Sequence, residues 1–270
     1  MDRTEERANL VLTRTQTPGI RVCVLNRPLK RNALSQCLID DLLLELRSAD
    51  ADEAISCIII TGSGGFFSAG ADISEISQLD AEGTHQKRYL EDLCNGMRDV
   101  RKPVIAAVEG KALGGGFELA LMIVSDKAQA DFIVATSDAS FGLPEVTIGL
   151  IPGAGGTQRL TAAVGKYRAM QMILLNEPLS GSEAFHLGLV ASLADPGQAL
   201  EIALGLATKL ANKSRSAIRL AKEAICRADE LGQDEQFERS LYYTAFGTSD
   251  KREGVGAFLE KRPPVWKHLE

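Results

Sequence analysis

The chain has 270 residues, of which 45% are hydrophobic and 24% charged, and its net charge is −6. That is apolar material for a sizeable core in one or two domains, with an ordinary globular share of charge, so wholesale disorder is excluded. The acidic excess argues against capture of nucleic acid by phosphate neutralisation, and no apolar run reaches the length of a membrane span.

In chain order, Met1 to Arg7 carries both signs of charge and no apolar stretch, so it does not read as a signal peptide. Ile20 to Leu25 reads as a strand closed by Asn26-Arg27-Pro28, and Ser35 to Leu46 as a helix with Ser35 at its N-cap. Ile55 to Thr61 is nearly continuous in apolar residues and reads as a buried strand, followed by the glycine-rich Gly62 to Gly65. Tyr89 to Val100 has a helical pattern, Pro103 to Val108 that of a second buried strand, and Phe132 to Ala135 that of a third. Gly110 to Gly116 is a glycine-rich turn leading into a helix from Phe117. Beyond Thr157 the pattern is mainly helical, broken at Gly165, at Pro178 to Gly181 and at Pro196-Gly197, and Leu200 to Asp229 holds two helices split near Asn212 to Ser214. Alternation of strand and helix predicts an α/β core over residues 1–195, followed by a helical region over 196–270.

The five cysteines (Cys23, Cys37, Cys57, Cys94 and Cys226) are odd in number and show no CxxC spacing, which predicts reduced thiols. The three histidines form no metal-binding spacing, so no metal is expected. Lys213, Arg215, Arg219, Lys222 and Arg227 could suggest RNA, but Arg215, Arg219 and Lys222 fall at helical spacing, which reads as a solvated helix face. Trp266 reads as a packing anchor.

Three segments place small residues where a ligand can approach backbone: Phe67 to Ile73, Ala112 to Ala120, and Phe141 to Glu145 running on to Leu160. The second opens a helix, whose unpaired N–H groups and dipole attract negative charge. Glu118 stands two residues past its glycines, and Glu145 follows Pro144 at a turn. Two carboxylates in different environments can act as base and acid, yet most glutamates at helix starts are caps or dipole partners. The residues alone leave both readings open.

These three segments, in this order, resemble the enoyl-CoA hydratase/isomerase (crotonase) family. So do Leu25 to Pro28 with Asn32 to Leu34, Lys102 to Val108, Ser182 to Val190, Arg219 to Ala224 and Arg252 to Arg262. The resemblance runs from about Ala8 to Val265. It implies a spiral of ββα units with a helical C-terminal region used for trimerisation, giving a homotrimer or a dimer of trimers. It implies an oxyanion hole from the backbone N–H groups of Ala71 and Gly115, and CoA contacts at Ala69, Asp72 and Ile73. Looser matches put Lys30 and Arg31 near the CoA phosphates, and Lys261 where it reaches the CoA of a neighbouring subunit. The implied reaction is reversible syn hydration of 2-enoyl-CoA thioesters to 3-hydroxyacyl-CoA. Glu118 polarises the water, Glu145 donates a proton to Cα, and the Gly153 N–H helps to place the water. No cofactor is implied, since coenzyme A is part of the substrate; no nucleic acid or membrane partner is implied either.

Glu118 and Glu145 stand 27 positions apart, longer than the family's usual spacing by about two helical turns. The extra residues fall at Met122 to Ala128; intact motifs on both sides favour a loop over a longer helix that would displace the next strand. The stretch from Ser74 to Val100 lies where the family shapes its acyl pocket. Alternatives are an enoyl-CoA double-bond isomerase and a non-catalytic CoA- or RNA-binding relative. The expected compartment is the mitochondrial matrix if a presequence has been removed, and the cytoplasm otherwise. The tail is no peroxisomal signal, and Leu269-Glu270 has the form of a cloning scar that would hide the native C-terminus.

Overall fold

The computed structural model describes residues 9–86, 88, 90–122, 131–231 and 235–267. Its larger sheet has six strands in the order β1 (Val11–Arg14), β2 (Ile20–Leu25), β3 (Cys57–Gly62), β4 (Val104–Val108), β6 (Phe132–Thr136) and β9 (Ser192–Ala194). Only β1 runs antiparallel to its neighbour. A smaller sheet holds β5 (Lys111–Leu113), β7 (Ser140–Gly142) and β8 (Leu179–Ser180). The helices are α1 (Gln36–Ala51), α2 (Ile73–Ile76), α3 (Ala81–Gln86), α4 (Glu91–Arg98), α5 (Gly115–Leu121) and α6 (Gly156–Val164). They continue with α7 (Lys166–Leu174), α8 (Gly181–His186), α9 (Ala199–Ala211), α10 (Arg215–Leu231), α11 (Glu235–Phe246) and α12 (Ser249–Leu259).

The unbroken apolar runs follow from burial of both sheet faces. Ile58 and Ile60 of β3 enter one apolar cluster with α1, while Cys57 and Ile59 enter the other with α9. The same alternation splits Val104, Ala106 and Val108 from Ile105 and Ala107 in β4. A strand covered on both faces has no polar side to show, as in other parallel sheets. α9 meets the sheet through Ala199, Ala203 and Ala207, one small residue per turn, all fully buried. It therefore packs as a layer of the sheet, although it lies in sequence beyond residue 195.

Each turn of the spiral lays one strand in the large sheet and a second in the small one. β3 is followed by Ser68, β4 by β5, and β6 by β7; Ser68 bridges Ala112 in parallel, and β5 pairs β7 in parallel. This is the ββα spiral that the resemblance implies. Loops leaving the C-terminal ends of β3, β4 and β6 thus converge on one side, the usual ligand side of an open α/β sheet.

The strand β2, the Ser35 cap (its side chain accepts from the Leu38 N–H at 3.3 Å) and the helix breaks at Gly165 and Asn212 to Ser214 lie where sequence predicts. β1, β5, β7, β8 and β9 go unpredicted; all are four residues or shorter, too short for an alternation that stands out. The extra segment from Met122 falls, beyond Met122 itself, on residues outside those described. Met122 caps the end of α5, and past the segment the Asp131 N–H donates to Val104 O at 2.7 Å, in register with β4.

One expectation needs correction. Lys222 is not on a solvated face: it is 5% exposed, its Nζ lies 3.2 Å from Asp131 Oδ2, and it donates to Lys102 O. Arg215 on the same face donates to Ser56 Oγ. That face of α10 docks on the N-terminal ends of β3 and β4, and the cations satisfy backbone and acid groups there. Trp266 does act as an anchor: its Nε1 donates to Asn212 O at 3.0 Å, and its ring rests against Gly254.

Candidate active site

Glu118 lies in α5 with 1% of its surface exposed. Its Oε1 accepts from the Ala154 N–H at 2.8 Å and the Gly156 N–H at 2.7 Å. The Gly153 N–H also lies against this carboxylate, and Arg159 adds a positive charge nearby. Burial raises the Glu118 pKa above the ordinary carboxylate value, while those N–H groups and Arg159 oppose the rise. The run Gly153 to Gly156 can wrap a carboxylate because it is made of small residues and its last member starts α6, where N–H groups have no helical partner. A Cβ on Gly156 would lie 2.9 Å from Glu118 Oε1. Arg159, 4% exposed, fixes the same loop by donating to Ala154 O. Sequence reasoning misses Ala154, Gly156 and Arg159 as partners of Glu118; the signal was a glycine run opening a helix.

Glu145 starts a short 3-10 turn, Glu145–Ile148. Its Oε2 is buried with no protein partner among the described residues. Burial, with a smaller push from the negative charge of Glu118, raises its pKa to about 7. The two carboxylates therefore share one site but differ in support: one is held by backbone N–H groups, the other is buried with one oxygen unpartnered among the described residues.

Ala71 and Gly115 lie side by side. Leu34 forms a parallel bridge to Ala71 in which the Leu34 N–H donates to Gly70 O and the Asp72 N–H donates to Leu34 O. Alternation along an extended chain turns the Ala71 N–H the other way. A Cβ on Gly115 would lie 3.4 Å from Ala71 N. Gly115 is the first residue of α5, so its N–H has no helical partner. Neither N–H is engaged by a backbone acceptor among the described residues.

The remaining sequence candidates are more dispersed. Asp72 caps α2, accepting from Ser74 N at 3.1 Å, and pairs with Arg27 at 3.0 Å, so its carboxylate is committed to the loop itself. Ala69 donates its N–H to Arg31 O, and Ile73 is 57% exposed. Lys30 and Arg31 are exposed at a neighbouring turn, with Arg31 over the Phe66 ring. Lys261 is exposed just past α12, in the layer of α10, α11 and α12 rather than beside Glu118. Among the described residues no group of three or more His, Cys, Asp or Glu could hold a metal, and no helix is long and apolar enough to cross a membrane.

Comparison with known proteins gives this geometry its context. Residues 15–269 match the family described as "Enoyl-CoA hydratase/isomerase". A probable enoyl-CoA hydratase of Rhizobium meliloti is 46% identical, over 94% of this chain and 96% of that protein. A mitochondrial enoyl-CoA hydratase of Pongo abelii is 41% identical, over 90% of this chain and 82% of that one. The crystal structure of an enoyl-CoA hydratase subunit I from Geobacillus kaustophilus superposes with a TM-score of 0.90 at 39% identity, covering 96% of this chain and 98% of that chain. These three relatives are named for the hydratase alone, which gives the isomerase and RNA-binding alternatives no support. A match of this length and identity, on a fold of this similarity, places the chain in the enoyl-CoA hydratase/isomerase family.

Proposed function

We propose that this chain hydrates 2-enoyl-CoA thioesters reversibly to 3-hydroxyacyl-CoA, with Glu118 and Glu145 as its acid–base pair. The observation that carries the reading is the contrast between the two carboxylates. Glu118 Oε1 is held by two backbone N–H groups, whereas Glu145 carries its proton up to about pH 7. Glu118, ionised, orients a water through its second oxygen for attack at Cβ, with the Gly153 N–H beside it. As the C–O bond forms, electron density moves to the thioester oxygen, where the N–H groups of Ala71 and Gly115 receive it. Glu145 then delivers its proton to Cα, and the proton that Glu118 takes from the attacking water passes back to Glu145 to close the cycle. Each donor to such an oxyanion is worth ~3–4 kcal/mol, the largest single effect here.

The acyl-CoA substrate follows from the family and from the names of the relatives. Ala69, Asp72 and Ile73 are proposed to line the CoA path through their backbone and exposed edges, with Lys30 and Arg31 beside its phosphates. Lys261 is proposed to act on a neighbouring subunit's CoA in a homotrimer or dimer of trimers. The exposed Tyr242, Tyr243, Phe246 and Leu259 of the C-terminal helices support a face that another copy covers. No cofactor is proposed beyond the CoA of the substrate. The proposed division is a core over 1–195 followed by a helical region over 196–270. The proposed compartment is the mitochondrial matrix if a presequence has been removed and the cytoplasm otherwise, in line with relatives from both a mitochondrion and bacteria.

The direct test is loss of the enoyl thioester absorbance band with crotonyl-CoA, alongside a 3-enoyl-CoA as isomerase substrate. Rapid loss with formation of the 3-hydroxy product supports the proposal. Conversion of the 3-enoyl substrate alone would overturn it.

A further inference from the structure

At the opposite ends of the strands from Glu118 and Glu145 lies a cavity of about 590 Å³. It opens where β3 and β4 begin, between the end of α1 and the start of α10, and none of its lining residues belongs to the catalytic loops. Five cations line it: Arg101, Lys102, Arg215, Arg219 and Lys267. Only two acids do, Asp50 and Glu53, in a chain that is acidic overall.

Neutral acceptors hold two of these cations. Lys102 Nζ donates to Ala49 O at 2.8 Å and Asp52 O at 2.6 Å; Arg215 donates to Ser56 Oγ at 2.8 Å and to Glu53 O. Carbonyl and hydroxyl oxygens fix a cation in place without cancelling its charge. Arg101 does reach an acid, Asp50, at 3.2 Å, yet it is mostly exposed. Burial holds the Lys102 ammonium below its ordinary range, and Arg215 and Arg101 add repulsion against the pull of Asp50 and Asp52. Pro103, Leu210 and Ile218 supply an apolar wall beside the charges.

We propose that this cleft is a second ligand site, specific for a small organic phosphate and distinct from the CoA-thioester site. Guanidinium forks and an ammonium lining one cleft from several elements suit an anion with several oxygens, as a phosphate has, better than a single carboxylate. The cavity falls within the roughly 300–1,000 Å³ of small-molecule sites, and its apolar wall fits the organic part. Arg101 and Lys102 come from the core, Arg215 and Arg219 from α10, so a phosphate bound here ties the two together. Binding to the folded chain alone then raises its melting temperature.

The test uses the full chain with adenosine 5′-diphosphate and inorganic pyrophosphate as probes, and sodium sulfate at matched ionic strength as control. Saturable binding is followed by calorimetry and by the rise in Tm. Arg101→Glu with Arg219→Glu is expected to weaken binding of the probes by about tenfold or more, while hydration of crotonyl-CoA without added phosphate is unchanged. Should the double variant not fold, the exposed Arg101→Glu alone is expected to weaken binding by about threefold. Equal binding to wild type and variants would place the anion elsewhere, and overturn the proposal. So would the absence of saturable binding by either probe, or a response that sulfate reproduces.

Discussion

A Cβ on Gly114 would lie 2.7 Å from Oε1 of Glu145. The glycine that precedes the Glu118 helix thus sets where the second carboxylate rests, and its backbone is held at φ +49°. Few side chains tolerate that conformation, so the backbone demands glycine, and a Cβ there would push the end of the Glu145 side chain aside. Gly114→Ala is expected to displace Glu145 and to lower kcat for hydration by about 10²-fold, as misplacements near 1 Å do. Steady-state rates on crotonyl-CoA check the first effect. Urea unfolding checks the second, a loss of ~1–3 kcal/mol from backbone strain. Wild-type rates in a well-folded Gly114→Ala protein would show that Glu145 does not depend on this contact.

The raised pKa of Glu145 sets a pH dependence. The group must deliver a proton, and it keeps one up to about pH 7. kcat for hydration is therefore expected to fall as pH rises through 7, approaching tenfold per unit further up. A pH–rate profile on wild type measures this limb. A flat profile from pH 6 to 9 would rule out Glu145 as the titrating acid, provided that chemistry limits the rate.

The same shift has a signature in stability. The folded chain binds the Glu145 proton more tightly than the unfolded chain, so between the ordinary value of 4.5 and about 7 stability falls as pH rises. Glu145→Gln removes this dependence. The variant is expected to melt above wild type at pH 8 and to lose that advantage below pH 4.5. Thermal melts of the two proteins across this window decide it; an equal offset at both ends would contradict the buried, proton-holding carboxylate.

Lys222 and Asp131 test the docking of α10. Lys222→Met leaves the Asp131 carboxylate without its 3.2 Å partner in a mostly buried position, a change that costs ~3–5 kcal/mol. Adding Asp131→Asn removes the stranded charge while keeping an oxygen for the Val104 N–H, which it accepts at 2.9 Å. The double variant is expected to recover part of the loss in urea titrations. A double variant no more stable than Lys222→Met would mean that the pair's charge is not what holds the helix.

How far the sequence reaches depends on how local the signal is. β2, β3 and β4 are legible because burial on both faces makes each nearly continuous in apolar residues, with only Arg21 interrupting β2. β5, β7 and β9, at three residues each, are strands only because the spiral brings partners alongside, and nothing in their own residues marks them. Glu118, Glu145, Ala71 and Gly115 are picked out through resemblance, because a carboxylate at a helix start looks the same whether it caps or catalyses. Ala154, Gly156 and Arg159 escape notice because their service to Glu118 spans more than 30 positions of chain. Lys222 is misread for a related reason: helical spacing shows that Arg215, Arg219 and Lys222 share a face, but not which body that face meets.

In the proposed reaction two carboxylates, one anchored by backbone N–H groups and one buried and holding its proton up to about pH 7, perform hydration together. Parallel assays of wild type, Glu118→Gln and Glu145→Gln with crotonyl-CoA test it most directly. Both variants are expected to fold as wild type does and to fall by about 10²–10⁴-fold in kcat. Either variant retaining near-wild-type hydration would contradict the pairing and leave a single carboxylate to do the chemistry.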